Sequence, residues 1–222
     1  MRVILFGATG MIGQGVLREC LLAPDVDEVL SIARSATGQT HAKPRELKPP
    51  NWFDFTAAEQ ELRGFDACFF CLGVSSAGMS EADYRRVTFD IAMAAARTLA
   101  RLNPQMTFVF VSGAGADSTE RGRLMWARVK GQTENAILKL PFKRAVVFRP
   151  GAVVPRHGVR SKTAWVRAAY TVTRPLWPIL LASAPGFATT TERIGQAMLK
   201  VARDGAPKAI LESRDINELS SG

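Results

Sequence analysis

The sequence alternates short apolar runs with longer amphipathic segments over most of its length. The apolar runs have the length and composition of buried strands, and the amphipathic segments have the periodicity of helices. Strands are predicted at Val3–Phe6, Val29–Ala33, Ala67–Leu72, Thr107–Ser112, Ala145–Phe148 and Ala209–Leu211. Helices are predicted at Ile12–Leu22, Glu81–Leu102, Leu124–Leu140 and Glu192–Arg203. The alternation is typical of an α/β protein with a Rossmann-like, doubly wound parallel sheet.

Two regions depart from this alternation. The stretch Gly38–Asn51 is polar and rich in proline, which lacks a backbone donor, so it is predicted to be a loop. The segment Ala164–Leu181 is apolar enough to raise the question of a membrane span, but Arg167 and Arg174 fall inside it and two prolines interrupt it. A spanning helix needs about 20 predominantly apolar residues. We therefore predict no span, and instead a helix and loop that close over a cleft.

The strongest local motif follows the first predicted strand. Gly7-Ala-Thr-Gly10-Met-Ile-Gly13 connects that strand to the first predicted helix. Glycines let the backbone approach a pyrophosphate, and the N-terminus of a helix presents free N–H groups to the anion. The cofactor-binding residues predicted here are Gly7, Thr9, Gly10, Met11, Ile12 and Gly13. We predict a dinucleotide-binding Rossmann domain over residues 1–150, completed by a small substrate-side lid segment, 151–222.

The end of the second predicted strand indicates which dinucleotide is bound. A site that prefers NAD usually has a carboxylate there for the ribose 2′-hydroxyl. This chain has Arg34 followed by Ser35 instead. A guanidinium can make charge-assisted bonds to a 2′-phosphate and lie on the adenine face. The expected cofactor is therefore NADP(H) rather than NAD(H).

Further contacts are expected where other strands end, because ligands of parallel α/β sheets lie beyond the carboxyl ends of the strands. Asp54-Phe55 is predicted to end a third strand, where Asp54 either accepts from the adenine amine or caps a turn. Cys71-Leu72-Gly73 follows the next strand, and Gly73 suits a close approach of the backbone to a ribose or nicotinamide.

Positive charge is concentrated in one part of the chain. The 222 residues include 29 Lys and Arg against 20 Asp and Glu, a net charge of +9. No acidic residue lies between Asn135 and Thr191, where the basic residues are Lys139, Lys143, Arg144, Arg149, Arg156, Arg160, Lys162, Arg167 and Arg174. Because no nucleic-acid-binding motif accompanies this charge, specific nucleic-acid binding is not expected. The segment favours an anionic small-molecule substrate or an acidic partner.

The cysteines and histidines limit which metal sites and catalytic groups the chain can form. Cys68 and Cys71 lack the second ligand pair that a tetrahedral zinc site needs, so they are interpreted as buried strand residues. The only histidines, His41 and His157, lie in predicted loops and provide neither a histidine-based triad nor a histidine-rich metal site. No metal site is predicted. The strand-like start without signal-peptide features predicts a reduced, cytoplasmic compartment.

The order of several segments resembles the atypical short-chain dehydrogenase/reductases of the NAD-dependent epimerase/dehydratase group, most closely the Tat-interacting oxidoreductase type. These segments are Gly7–Gly13, Ile32–Arg34, Cys71–Gly73, Val111–Asp117, Val129–Gly131 with Glu134, Phe148–Gly151, Leu211-Glu212 and Asp215–Leu219.

The resemblance implies an active site made of a serine after the fifth strand and a Tyr-x-x-x-Lys pair on the next helix. Ser112 and Lys130 match the serine and the lysine as catalytic residues, and Lys130 would also bond the nicotinamide ribose. Pro150-Gly151 would meet the nicotinamide amide. Trp126 occupies the tyrosine position, and an indole has no titratable hydroxyl.

Three functions remain open on these residues. The first is an NADP(H)-dependent oxidoreductase whose proton comes from water, Tyr170 or Lys130. The second is a non-catalytic NADP(H)-binding sensor or regulatory interaction protein, which Trp126 favours. The third, binding of nucleic acid or an anionic membrane through the basic segment, has charge in its favour but no motif.

Overall fold

A computed structural model of the protein describes residues 1–35, 37–38, 41–159, 177 and 186–221. The strands are β1 (Arg2–Phe6), β2 (Glu28–Ile32), β3 (Pro44–Leu47), β4 (Ala67–Phe70), β5 (Thr107–Val111), β6 (Arg144–Arg149), β7 (Ala152–Val154), β8 (Ala188–Thr190) and β9 (Ile210–Glu212). The helices are α1 (Met11–Leu22), α2 (Glu81–Arg85), α3 (Ile91–Leu102), α4 (Met125–Leu138), α5 (Thr191–Asp204) and α6 (Ser213–Ser220).

Seven strands form one parallel sheet in the order β3-β2-β1-β4-β5-β6-β9, and β7 pairs with β8 in a separate parallel pair. The order reverses direction at β1, where the chain crosses to β4, so helices cover both faces. This arrangement confirms the predicted Rossmann-like α/β fold.

Both faces of the sheet are apolar because successive residues of a strand point to opposite sides. Val3 and Leu5 of β1 pack into the cluster under α1, α5 and α6, whereas Ile4 and Phe6 pack into the cluster under α3 and α4. All four side chains are fully buried. A strand that is buried on both faces appears in the sequence as an uninterrupted apolar run, and this explains why β1 could be predicted.

The predicted loop Gly38–Asn51 and the predicted third strand ending at Asp54-Phe55 are both wrong. The third strand is β3, which lies inside that stretch and pairs in parallel with β2 at the edge of the sheet. Pro44 is its first residue, a position at an edge that tolerates a missing N–H. Asp54 and Phe55 instead precede a short 3₁₀ turn at Thr56–Ala58.

The other predicted elements agree with the structure to within a few residues, with one interruption. The predicted helix Glu81–Leu102 consists of α2 and α3 joined by a π-helical turn at Arg86–Asp90. The Ser80 hydroxyl caps α2 by accepting from the Asp83 amide at 3.1 Å.

The C-terminal residues extend the same sheet. β9 pairs with β6 at the edge of the sheet, and α5 packs along α1. Apart from Trp177, the helix and loop predicted over Ala164–Leu181, including Tyr170, lie outside the described residues. Within the described part of the chain, no helix is long and apolar enough to cross a membrane.

Candidate functional site

The glycine loop after β1 is built so tightly that side chains are excluded at two positions. Gly7 has φ +78°, and a Cβ there would lie 2.9 Å from the backbone of Cys71 and Leu72. A Cβ on Gly13 would lie 2.1 Å from the Gly7 carbonyl oxygen. The Gly10 amide donates to that same oxygen at 2.9 Å. The loop therefore depends on Gly7 and Gly13 for its shape.

This shape directs the start of α1 to the carboxyl edge of the sheet. Gly10 is the N-cap and supplies no side chain, and the first turn contains no acidic residue. In the described part of the chain, the amides of Met11, Ile12 and Gly13 have no acceptor. Three free N–H groups at the positive end of a helix dipole favour an anion.

The residues after β2 lie beside this loop. Arg34 and Ser35 follow β2 and are exposed, and Arg34 has no hydrogen-bond or ion-pair partner within the described residues. A cavity of about 630 Å³ opens next to the loop, and its lining includes Thr9, Thr37 and His41. The predicted cofactor residue Thr9 borders this cavity, but Arg34 and Met11–Gly13 are not part of its lining, which continues along α1.

Asp54 and Phe55 are both engaged with neighbouring protein groups. The Asp54 carboxylate accepts from the Thr56 amide at 2.9 Å and from the Thr56 hydroxyl at 2.6 Å, and these bonds lower the pKa of Asp54. Phe55 is buried with its ring edge against Phe6. Asp54 thus makes the turn-capping contacts that were the alternative to an adenine contact.

The segment after β4 passes directly under the glycine loop. The Cys71 amide donates to the Phe6 carbonyl at 3.0 Å, and burial raises the pKa of the Cys71 thiol well above its usual range. Gly73 has open space around its α carbon. Cys71 and Leu72 therefore support the loop, whereas Gly73 faces free volume at the carboxyl edge.

Ser112 does not present a free hydroxyl. Its Oγ donates to the carboxylate of Glu134, which is fully buried on α4. The Arg149 Nε donates to both Glu134 oxygens at 3.1 Å, its Nη2 forms an ion pair with the same carboxylate, and Nη2 also donates to the Ser118 hydroxyl at 2.6 Å. Bonding to Glu134 raises the pKa of the Arg149 guanidinium. Ser112 therefore ties the end of β5 to α4 and β6.

Lys130 and Trp126 share a face of α4 because they are four residues apart. Burial lowers the pKa of Lys130 to about 8, against the opposing charge of Glu134 one turn later. Its ammonium lies 5.9 Å from the centre of the Phe110 ring and has no ion-pair partner in the described residues. A Cβ on Gly115 would lie 3.4 Å from Trp126 Cη2, so the indole covers the loop after β5.

The turn after β6 holds an aromatic ring that the sequence did not indicate. A Cβ on Gly151 would lie 2.8 Å from two carbons of the Phe187 ring, so Phe187 packs on this glycine. The Gly151 amide donates to the Ser213 hydroxyl at 2.9 Å, and the Pro150 carbonyl accepts from the Ala114 amide. Pro150 and Gly151 thus join the loops after β5 and β6.

The described basic residues of the segment 135–191 are mostly away from this edge. Lys139 follows α4, and Lys143 precedes Arg144 at the start of β6, at the amino edge of the sheet. Arg149 is paired with Glu134. The Arg156 amide donates to the Thr191 hydroxyl at 3.1 Å. Arg160, Lys162, Arg167 and Arg174 lie outside the described residues.

The sheet order and the glycine loop define a Rossmann-like α/β fold. The Bordetella bronchiseptica enzyme WbmF, solved in complex with NAD+, has the same fold with a TM-score of 0.68, 15% identity and coverage of 99% of this chain and 76% of that one. A UDP-glucose 4-epimerase matches with a TM-score of 0.69 and 12% identity over 98% of this chain and 80% of its own. At these identities the likeness concerns the fold.

Among relatives by sequence, the chain is similar to the fungal proteins called FMP52. Protein FMP52 of Eremothecium gossypii is 25% identical over 226 residues, 99% of this chain and 97% of its own length. FMP52-1 of Scheffersomyces stipitis is 27% identical over 156 residues, 69% and 68% of the two chains. No protein-family model matches the chain.

The expected cytoplasmic location is wrong. The FMP52 relatives are named as mitochondrial proteins in several yeasts, and this contradicts the expectation. The absence of signal-peptide features, on which the expectation rested, distinguishes secreted proteins from others and does not separate the cytoplasm from an organelle.

Proposed function

We propose that this protein binds a nicotinamide dinucleotide, with NADP(H) preferred over NAD(H), and acts as an oxidoreductase on a small carbonyl compound or the corresponding alcohol. The observation that carries this proposal is the glycine loop. Its backbone packing excludes side chains at Gly7 and Gly13 and leaves the first amides of α1 without an acceptor in the described residues. WbmF and MoeE5, which share the fold, are solved with NAD+ or NAD.

Different residues along the carboxyl edge of the sheet would hold different parts of such a cofactor. The amides from Met11 to Gly13 would bind the pyrophosphate, and Arg34 with Ser35 would bind the 2′-phosphate. Gly73 and the turn at Pro150-Gly151 would border the nicotinamide half. The bound cofactor would supply or accept the hydride, and the protein would supply position and a proton.

Lys130 is the group best suited to donate that proton to a carbonyl oxygen. A lysine whose pKa is lowered to about 8 is still protonated at neutral pH and gives up its proton more readily than an ordinary lysine. The Ser112 hydroxyl is already donated to Glu134. We therefore assign Ser112 to positioning α4 and the loop after β5, and we assign the chemistry to Lys130.

The preference for NADPH depends on Arg34. Arg34→Ala should weaken NADPH binding by about 10- to 100-fold, because charged hydrogen bonds contribute roughly 1.5–3 kcal/mol, and should leave NADH binding nearly unchanged. Calorimetric titration with both dinucleotides measures the difference. Arg45→Ala is the matched control, since Arg45 is exposed nearby on β3 but bonds Glu28 at 2.7 Å. Equal affinity of the unaltered protein for NADPH and NADH would contradict the assignment.

A second candidate function is a dinucleotide sensor without catalysis, and Trp126 favours it. The indole takes the position in which the resembling enzymes have a tyrosine, and it covers Gly115 rather than offering an acid. In this case the bound dinucleotide would change the conformation of the loop after β5, and a partner would bind to that loop.

Trp126→Tyr separates the two functions. If the protein is a reductase weakened by the tryptophan, the new hydroxyl beside Lys130 should raise kcat for reactive aldehydes by about 10- to 100-fold, within the range of general acid catalysis. The steady-state rate of NADPH oxidation measures this. Trp126→Phe opens the same space without a hydroxyl and should not raise kcat. Equal rates for the two variants would favour the sensor.

A further inference from the structure

The Phe187 ring is held open to solvent at the turn after β6. The side chain is 54% exposed, although its ring carbons pack on the α carbon of Gly151. Covering an exposed aromatic ring is favourable, because a buried ring contributes one of the largest gains in apolar contact area.

The backbone, and not the packing of the ring, fixes this residue. The Phe187 carbonyl accepts from the Ala152 amide at 3.1 Å and from the Ser213 hydroxyl at 2.8 Å. Ser213 is buried and also accepts from the Gly151 amide. The Ser213 hydroxyl therefore joins the turn after β6 to Phe187. These hydrogen bonds hold the backbone of Phe187 in the position from which its ring is exposed.

Other apolar side chains are exposed at the same edge of the sheet. Leu124, 60% exposed, precedes α4 on the loop after β5, and Val74, 46% exposed, lies on the loop after β4. Trp126 is half-buried beside Gly115. Loops after three neighbouring parallel strands thus bring apolar surface to the place where such sheets bind ligands.

Some of the charge at this edge is already paired. Arg149 pairs with Glu134, and the Arg128 guanidinium pairs with Glu81 at 2.5 Å. Lys130, together with Arg121 and Arg123 on the exposed loop after β5, leaves binding of an anionic substrate as the alternative outcome of the test.

We propose that Phe187 forms a wall of the substrate site and that the site takes an apolar carbonyl compound, for which benzaldehyde is the probe. The inference rests on the proposed dinucleotide binding, because the ring lies on Gly151, which would border the nicotinamide. An apolar ligand there would cover the exposed face of the Phe187 ring.

The test compares benzaldehyde with 4-carboxybenzaldehyde, which differ only by a carboxylate. Each is titrated into the whole protein saturated with NADP+, and ligand-observed NMR measures binding without requiring turnover. Benzaldehyde should bind at least about fivefold more tightly than its carboxylate analogue. Phe187→Ala should weaken benzaldehyde binding by about tenfold, as expected for losing roughly half of a buried ring, and Phe187→Leu by less.

Phe53→Ala is the matched control, because Phe53 is 41% exposed under the Arg86 guanidinium and should not affect benzaldehyde. NADP+ affinity should stay within about twofold in all three variants, since no charged contact to the phosphates is lost. Tighter binding of 4-carboxybenzaldehyde, or full benzaldehyde affinity in Phe187→Ala, overturns the inference while NADP+ binding persists. Absence of NADP+ binding in the unaltered protein overturns the proposed function itself, and this inference with it.

Discussion

Arg149→Met should lower the free energy of unfolding by about 3–5 kcal/mol, because it leaves a buried carboxylate without its cation. Glu134 is fully buried, and the Arg149 guanidinium supplies its ion pair and three of its hydrogen bonds. The remaining bond, from the Ser112 hydroxyl, cannot balance a whole charge. Urea unfolding followed by circular dichroism measures the change.

A second arginine provides the control for this change. Arg214 pairs with Glu218 at 3.1 Å, but the two side chains are 78% and 66% exposed. Arg214→Met should therefore cost less than about 1 kcal/mol. Adding Glu134→Gln to Arg149→Met should recover about 1–2 kcal/mol, because the amide keeps the shape and removes the charge. If Arg149→Met and Arg214→Met cost the same, the buried pair does not stabilise the fold as described.

The ion pair between Glu134 and Arg149 also affects the position of Lys130, the proposed proton donor. Glu134 lies one helical turn after Lys130 on α4, and Arg149 ends β6 beside the turn that contains Gly151. The bond from Ser112 adds the end of β5. A weakened pair should therefore loosen the position of Lys130 relative to the turn after β6, and lower turnover more than dinucleotide affinity.

The parts of the fold that could be predicted are those whose cause is local. A strand buried on both faces, such as β1, has to be apolar throughout, and the glycine at position 13 is required by the nearby Gly7 carbonyl. β3 was missed because Pro44–Leu47 is an exposed edge strand. Its pairing with β2 provides the stabilisation, and its own pattern shows neither alternation nor an apolar run.

The site was less predictable because its contacts join distant parts of the chain. Ser112 was expected to be free for a substrate, and its partner Glu134 is known only once α4 is packed against β5 and β6. The position of Phe187 could likewise not be predicted, because its packing on Gly151 depends on hydrogen bonds from Ser213. Sequence motifs could point only to residue types, whereas tertiary contacts determine which of their atoms are free.

Gly13→Ala should weaken dinucleotide binding by at least about 100-fold, equivalent to about 2.7 kcal/mol. A Cβ at this position would lie 2.1 Å from the Gly7 carbonyl oxygen and 2.7 Å from its carbon. The loop and α1 must therefore separate, and the amides that would bind the pyrophosphate lose their common direction. Quenching of protein fluorescence by NADPH measures the affinity.

The same substitution should cost only about 1–3 kcal/mol of folding stability, the usual price of overpacking, so the variant should remain folded at room temperature. Gly186→Ala makes the identical chemical change where nothing lies within 4 Å of the added carbon, and its NADPH affinity should match that of the unaltered protein. A folded Gly13→Ala protein with full NADPH affinity would mean that the anion does not bind at the start of α1, and the proposed cofactor site would fail with it.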